Sequence, residues 1–284
     1  MFDGEYLEGK KWNWKGFELK CGKFEFKGDY INGLRAGIIN EYHENGNISF
    51  VGEYQNELRN GKGSEYDENN NLVFQGYYLK GKRDKEGKEY FDNGTLKFVG
   101  NYSNGERNGK GKEYYNNGNL KFEGNYINGL RNGIGKEYFI GENGKLTFEG
   151  EFVTGEKNGK GKEFDGEDKK LFEGEYLKGL RNGKGKEYYQ NGNLLFEGEY
   201  LNGKRCGKGI EYNEDQNKDF EGEYAEGKRW NGNGIEYNEN GFIEFDGEYL
   251  NSKRWKGIIK EYDWEDGQMT FEGELEEGKI IENL

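Results

Sequence analysis

Residues able to do chemistry are few here, and their spacing argues against catalysis. His43 is the only histidine among 284 residues, and no serine or cysteine partner is placed to share a proton with it. Carboxylates are abundant, but the same glutamate returns at fixed intervals, as a structural position does. A paired acid and base for glycoside hydrolysis would break that pattern. The most acidic turn, Asn213-Glu214-Asp215-Gln216-Asn217, lacks the ligand order of a calcium loop. The glycines form neither a Walker loop nor a dinucleotide fingerprint, because no helix is predicted to follow them. These observations predict no catalytic residues, no metal site, no cofactor and no enzyme activity.

Two features stand above that background. The first is a row of cations, Lys11, Arg35, Arg59, Arg83, Arg107, Arg131, Lys157, Arg181, Arg205, Arg229 and Arg254, spaced 24 to 26 residues apart. The row reads as a basic edge of turns. The alternative is that each stem packs over the next tyrosine with its head in water. The second feature is tryptophan. Trp12, Trp230 and Trp255 each follow a cation of the row, where the other copies mostly have asparagine and one has Cys206. Exposed aromatics beside arginine serve as interface anchors. Arg205, Arg229, Trp230, Arg254 and Trp255 are therefore the expected partner-binding residues, with local packing in a longer turn as the competing reading.

The elements that position these residues are copies of one unit. Phe-x-Gly-x-Tyr starts at 2, 26, 50, 74, 98, 122, 148, 172, 196, 220, 245 and 271, with Phe152 and Leu275 standing in for the tyrosine once each. Positions below are counted from that phenylalanine. A fixed period of this size means an array whose units must stack to bury a core. Each unit reads as two strands. Leu120 to Tyr126 alternates Leu, Phe, Gly and Tyr on one face, with positions 2 and 4 on the other. Gly109 to Tyr114 reads as the second strand. Asn-Gly pairs such as Asn128-Gly129 mark the first turn. Further glycines, including Gly46, Gly94, Gly118 and Gly192, mark the second, and both residues of an Asn-Gly pair tolerate positive φ. Short turns imply an antiparallel meander of 23 to 24 strands, because parallel strands need long crossovers. Glycines at positions 3, 12 and 14 would leave room for a ladder of rings. Carboxylates at positions 2 and 4 would pair with lysines at 13 and 15 on the other face. Whether Glu113, in the Glu-Tyr pair ending the second strand, joins the rings or is turned away by a bulge stays open.

Phe/Tyr-x-Gly-x-Tyr followed by Asn-Gly-Lys-Arg-x-Gly-Lys-Gly resembles the MORN repeat. Tyr114 to Leu120 and Tyr188 to Leu194 resemble its bacterial antitoxin-like variant. The resemblance covers essentially the whole chain. It implies an all-β, elongated, single-layer antiparallel meander with no helix, one array over 1–284. It also implies a non-enzymatic scaffold that binds an extended or helical protein partner, or itself, along a groove or edge. Two alternatives go with it. One is phosphoinositide association through the arginine-lined edge. The other is an immunity-like protein masking a basic partner.

Composition bounds the rest. Only 31% of residues are hydrophobic and 34% are charged, which alone would suit disorder, but the 16% aromatics recur at fixed places. The net charge of −13 argues against nucleic acid and disfavours anionic membrane surfaces. At ~10 Å per two-stranded unit, twelve units give an object ~110 Å long and put Cys21 ~80 Å from Cys206. That spacing excludes a disulfide and suits a reducing compartment. No apolar run is long enough for a membrane helix, and the chain starts directly in a repeat, so no leader is expected. The expected location is cytoplasmic, with association to cytoskeleton or membrane compatible.

Departures from the unit are predicted at repeat 1 (Trp12 to Gly16), at Lys85 in place of a glycine, at two extra residues within 139–143, and at one extra residue in the first turns of repeats 10 and 11. The tail from Ile280 to Leu284 would cap the last edge.

Overall fold

A computed structural model describes residues 3–141, 144–264 and 266–281. Phe2, Glu142, Asn143, Glu265 and the tail residues 282–284 lie outside them, as does the side chain of Lys11. The described residues form 24 strands, β1 to β24 in chain order, and no helix. Contacts group the chain into two compact units, Met1–Lys145 with Phe152–Gly155 and Leu146–Glu151 with Glu156–Leu284.

Within unit 1, β9 (Leu96–Ser103), β10 (Glu106–Tyr114), β11 (Leu120–Ile127) and β12 (Leu130–Tyr138) pair antiparallel, each with the next in sequence. Their register lines up glycines from strand to strand: Gly100, Gly111, Gly124 and Gly135 are successive partners. Unit 2 repeats the pattern through Gly161, Gly174 and Gly185. The reason is steric. A Cβ on Gly111 would lie 2.4 Å from the Phe98 ring and 3.2 Å from the Tyr126 ring. The phenylalanines from Phe50 to Phe245 at position 1 are fully buried. Each meets tyrosines edge-on, as Phe98 does Tyr102 at 5.7 Å and Tyr126 at 5.3 Å. Edge-to-face pairs add ~0.5–1.5 kcal/mol each beyond area burial.

The two turns differ. At the first, Asn104 (φ 54°) and Gly105 (φ 94°) are both left-handed, the two-residue turn whose twist suits a hairpin. At the second only the glycine is left-handed, Gly118 at φ 87°, which corrects the expectation for that turn. Tyr115 N–H donates to Asn119 O at 2.9 Å, and Asn119 N–H donates to the Asn117 side chain at 3.0 Å. Both turns are tied to the neighbouring repeat. Gly129 N–H donates to Arg107 O at 2.9 Å, and the Asn117 side-chain amide donates to Ile140 O at 3.1 Å.

Two further expectations are corrected. Position 12 does not clear space for rings. Gly109 is left-handed (φ 94°), and a Cβ there would face Asn101 on the opposite side. It sits in a bulge, for four residues separate Arg107 from Gly111 where two separate Tyr102 from Gly100. Lys85 takes the same left-handed conformation (φ 54°) without being glycine. The extra residue of repeats 10 and 11 is not in the turn. Glu226-Gly227 keeps the two-residue form, and β20 (Lys228–Tyr237) and β22 (Lys253–Tyr262) are each ten residues long where the equivalent strands have nine. At the C-terminal edge, β24 (Lys279–Ile281) pairs with β23 (Met269–Glu276).

Candidate interaction surface

The ladder face carries the cation row, and its geometry differs from an open basic edge. Arg131 is the strand partner of Tyr126, so it projects onto the aromatic face. Its guanidinium carbon stands 4.1 Å from the centroid of Phe122, the ring of its own repeat, not over the next tyrosine. The same stacking places Arg35, Arg59, Arg83, Arg107, Lys157, Arg181 and Arg205 over their own phenylalanines at 3.5 to 4.2 Å. Arg229 and Arg254, in the repeats with longer strands, stand off at 5.2 Å.

The charged heads are engaged by the glutamate at position 16. Glu113 is the partner of Phe122 and faces the rings, and the register shift follows it, between Glu113 and Tyr114. Glu113 thus joins the rings, and the bulge resets Tyr114 after it. Arg107 reaches Glu89 at 2.7 Å and Glu113 at 2.9 Å, and Arg131 reaches Glu113 at 2.6 Å and Glu137 at 2.7 Å. Unit 2 carries a similar chain, with Arg181 between Glu163 and Glu187 and Arg205 between Glu187 and Glu211. Tyrosine hydroxyls join it: Tyr102 donates to Glu89 at 2.6 Å and Tyr200 to Glu187 at 2.8 Å. Burial pushes the Glu113 carboxyl up, but hydrogen bonding from Arg131 and the charges of Arg131 and Arg107 outweigh it and hold it below the usual range. Glu65, Glu89 and Glu187 are depressed in the same way. Burial pushes the Tyr102 phenol upward, and the Glu89 carboxylate adds to that. Sequence reasoning missed this chain, although its signal was present: arginine at 10 and glutamate at 16 recur together.

The chain thins where the strands lengthen. Arg229 pairs with Glu211, and Arg254 pairs with Glu236, in the preceding repeat. The tryptophans mark the same repeats. In the regular pattern a turn amide donates to the arginine carbonyl, but Ser252 N–H donates to Trp230 O and Gly278 N–H to Trp255 O, both at 2.9 Å. Gly33 N–H donates to Trp12 O in the same way. All three tryptophans at position 11 therefore sit where the acceptor falls one residue later. Trp230 is 37% exposed and Trp255 is half-buried.

The opposite face carries the expected cross-strand ion pairs between positions 2 and 15, as Lys112–Glu123 and Lys186–Glu197, both at 3.0 Å. In unit 1 that face also forms a groove of about 820 Å³. Backbone of Gly87, Gly100, Gly111, Gly124 and Gly135 lines it, with Tyr77, Val99 and Ile134 as its apolar side chains. His43 Nε2 lies 2.8 Å from Tyr66 O and donates to it, a structural contact. Cys21 is an exposed free thiol in a turn, and Cys206 a half-buried one.

These features coincide with a known repeat. The MORN repeat model matches residues 98–120, 122–141, 148–166, 172–194 and 196–218, and the MORN repeat variant matches 36–56, 59–80 and 83–104. The chain belongs to the MORN-repeat family. MORN repeats are in general protein- and membrane-interaction modules, and the family is generally non-catalytic. No curated protein matches the chain. Among solved structures it is similar to the crystal structure of TcdB2-TccC3-Cdc42 at 8% identity and a TM-score of 0.20, covering 93% of this chain and 19% of that one. It is similar to TcdB2-TccC3 at 10% identity and a TM-score of 0.20, covering 94% of this chain. This MORN-repeat chain spans 18% to 19% of the length of those chains, and likeness at that level carries no argument about its role.

Proposed function

We propose that this MORN-repeat chain is a non-enzymatic interaction protein that holds an extended or helical protein segment in the groove of unit 1. The groove itself carries the reading: a glycine-lined surface with Tyr77, Val99 and Ile134 presented in it, and Ile134 58% exposed. Bare backbone lets a partner approach closely, and a groove with a few apolar anchors is how amphipathic segments are taken up. The ladder face is a weaker docking surface, because its arginines are already stacked and ion-paired. The same engagement weakens a lipid-binding role for the arginine row, since head groups would have to displace Glu113 and its equivalents.

The test is affinity capture with the wild type and with Val99→Gln plus Ile134→Gln. Gln75 already occupies position 2 in its own repeat, and position 13 is polar in most copies, so the variant should fold. Partners bound by the wild type should be lost by the variant at an unchanged melting temperature. Retention of every partner would overturn the groove reading, and binding to phosphoinositide vesicles with no protein captured would favour the membrane alternative.

A further inference from the structure

The face that holds the groove is not charged alike along the chain. In unit 2, positions 2 and 4 are acidic in every repeat, and the lysines opposite are matched to them: Lys160 pairs in register with Glu175, and Lys162 with Glu173. In repeats 4 and 5 of unit 1 the same positions are Gln75, Tyr77, Val99 and Asn101. The lysines remain while their carboxylates are gone. Lys88 has Gln75 as its partner on one side and Val99 on the other, and Lys110 has Asn125. Both are exposed, and neither has a carboxylate partner among the described residues. The lining as a whole holds Lys88, Lys110, Lys112 and Lys136 against Glu86 and Glu123, in a chain whose net charge is −13.

We infer that the groove of unit 1 selects an acidic segment of a protein partner, one whose aliphatic side chains rest on Val99, Ile134 and Tyr77 while its carboxylates meet Lys88 and Lys110. This rests on the groove reading above and adds the chemistry of the occupant. Complementarity of charge sets which partner is accepted and how fast it arrives, more than raw affinity. The loss of carboxylates at the positions facing these two lysines is the device: in unit 2 the register sets a glutamate opposite the lysines of this face, and here the lysines are left for another chain. Apolar contact in the same groove separates an aliphatic protein segment from a bare polyanion.

The probes are two synthetic amphipathic peptides, one of leucine and glutamate and one of leucine and lysine, with an oligonucleotide as a polyanion lacking aliphatic groups. Fluorescence anisotropy should show the glutamate peptide binding the wild type at least ~10-fold more tightly than the lysine peptide, a difference of ~1.4 kcal/mol. Lys88→Glu with Lys110→Glu should reverse the order while its melting temperature stays near that of the wild type. Equal binding of the two peptides, binding of neither, or tighter binding of the oligonucleotide would each overturn the inference. So would sedimentation showing a wild-type dimer that the charge reversal disperses, since the occupant would then be a second copy. The groove reading fails separately, when Val99→Gln with Ile134→Gln keeps every captured partner.

Discussion

Arg131 and Glu113 meet at 2.6 Å across neighbouring repeats, each only 16% exposed, with the guanidinium carbon 4.1 Å from the centroid of Phe122. One contact thus joins the ring ladder to the ion-pair chain. Charges this sheltered are costly to leave unpaired. Arg131→Met keeps an apolar stem over Phe122 but leaves Glu113 to Arg107 alone and takes a guanidinium away from Glu137. The expected loss is ~1–2 kcal/mol, below the range for a wholly buried pair because some exposure remains and Arg107 still reaches Glu113. Urea unfolding of the variant against the wild type measures it, and a loss under ~0.5 kcal/mol would mean the chain adds nothing beyond surface pairing.

Acid should act through the same glutamates. Glu65, Glu89, Glu113 and Glu187 titrate below their ordinary range in the folded protein. A depressed carboxylate contributes stability that is fully present above its unfolded pKa, ~4.3, and is lost as pH falls through the lower folded value. The urea midpoint should therefore be flat with respect to these groups from neutral pH down to ~5 and fall steeply below ~4. In Arg131→Met the fall should begin at higher pH, because Glu113 loses the hydrogen bond that holds it down. An acid limb identical in the two proteins would remove Glu113 from the account.

Glycines of this chain should separate into two classes on substitution. At Gly111 an added Cβ meets the Phe98 ring at 2.4 Å. Gly111→Ala should cost ~2 kcal/mol or more, because overpacking here must displace a ring that is itself fully buried. At Gly118 nothing lies within 4 Å, but the backbone is left-handed at φ 87°. Gly118→Ala should cost only ~1 kcal/mol, from backbone strain. Thermal melts of the two variants give the order, and a reversed order would contradict the ring ladder.

Much of this fold is legible in the sequence because position and pattern agree. Phe122, Gly124 and Tyr126 alternate on one face, Asn128-Gly129 turns the chain, and the second strand returns. The arginine row was harder to place. Alternation counted back from Gly111 puts Arg107 on the ring face, as the register does, but the second strand reads from Gly109 in the sequence and begins at Glu106 in the structure. A strand read from Gly109 leaves the cations in the turn before it. The residues leave Glu113 open, since nothing in them says that the register shift falls after it and not before. The placement of Lys88 and Lys110 opposite neutral residues is readable from Gln75, Val99 and Asn125 in place of acids, but only with the register in hand, because a net charge of −13 averages out a local excess of the other sign.

Trp230 offers the sharpest test of what an insertion does here. Deleting it would leave Lys-Arg-Asn-Gly-Asn-Gly-Ile-Glu-Tyr, close to the Glu-Arg-Asn-Gly-Lys-Gly-Lys-Glu-Tyr of β10. The strand would return to nine residues. The carbonyl of Arg229 would then be the acceptor for Ser252 N–H, and Arg229 would stand six residues before its glutamate, the separation at which Arg131 reaches Glu137 at 2.7 Å. Arg229 should close from 5.2 Å toward the ~4 Å stacking of its equivalents. The deletion should therefore leave the unfolding midpoint unchanged or raise it, and the Ser252 amide should stay protected in hydrogen exchange. A deletion that lowers stability by ~2 kcal/mol or more would show instead that the indole is a packing element of its repeat. A deletion that is neutral for folding yet abolishes capture of a partner would make Trp230 the interface anchor that its exposure and arginine neighbour suggest.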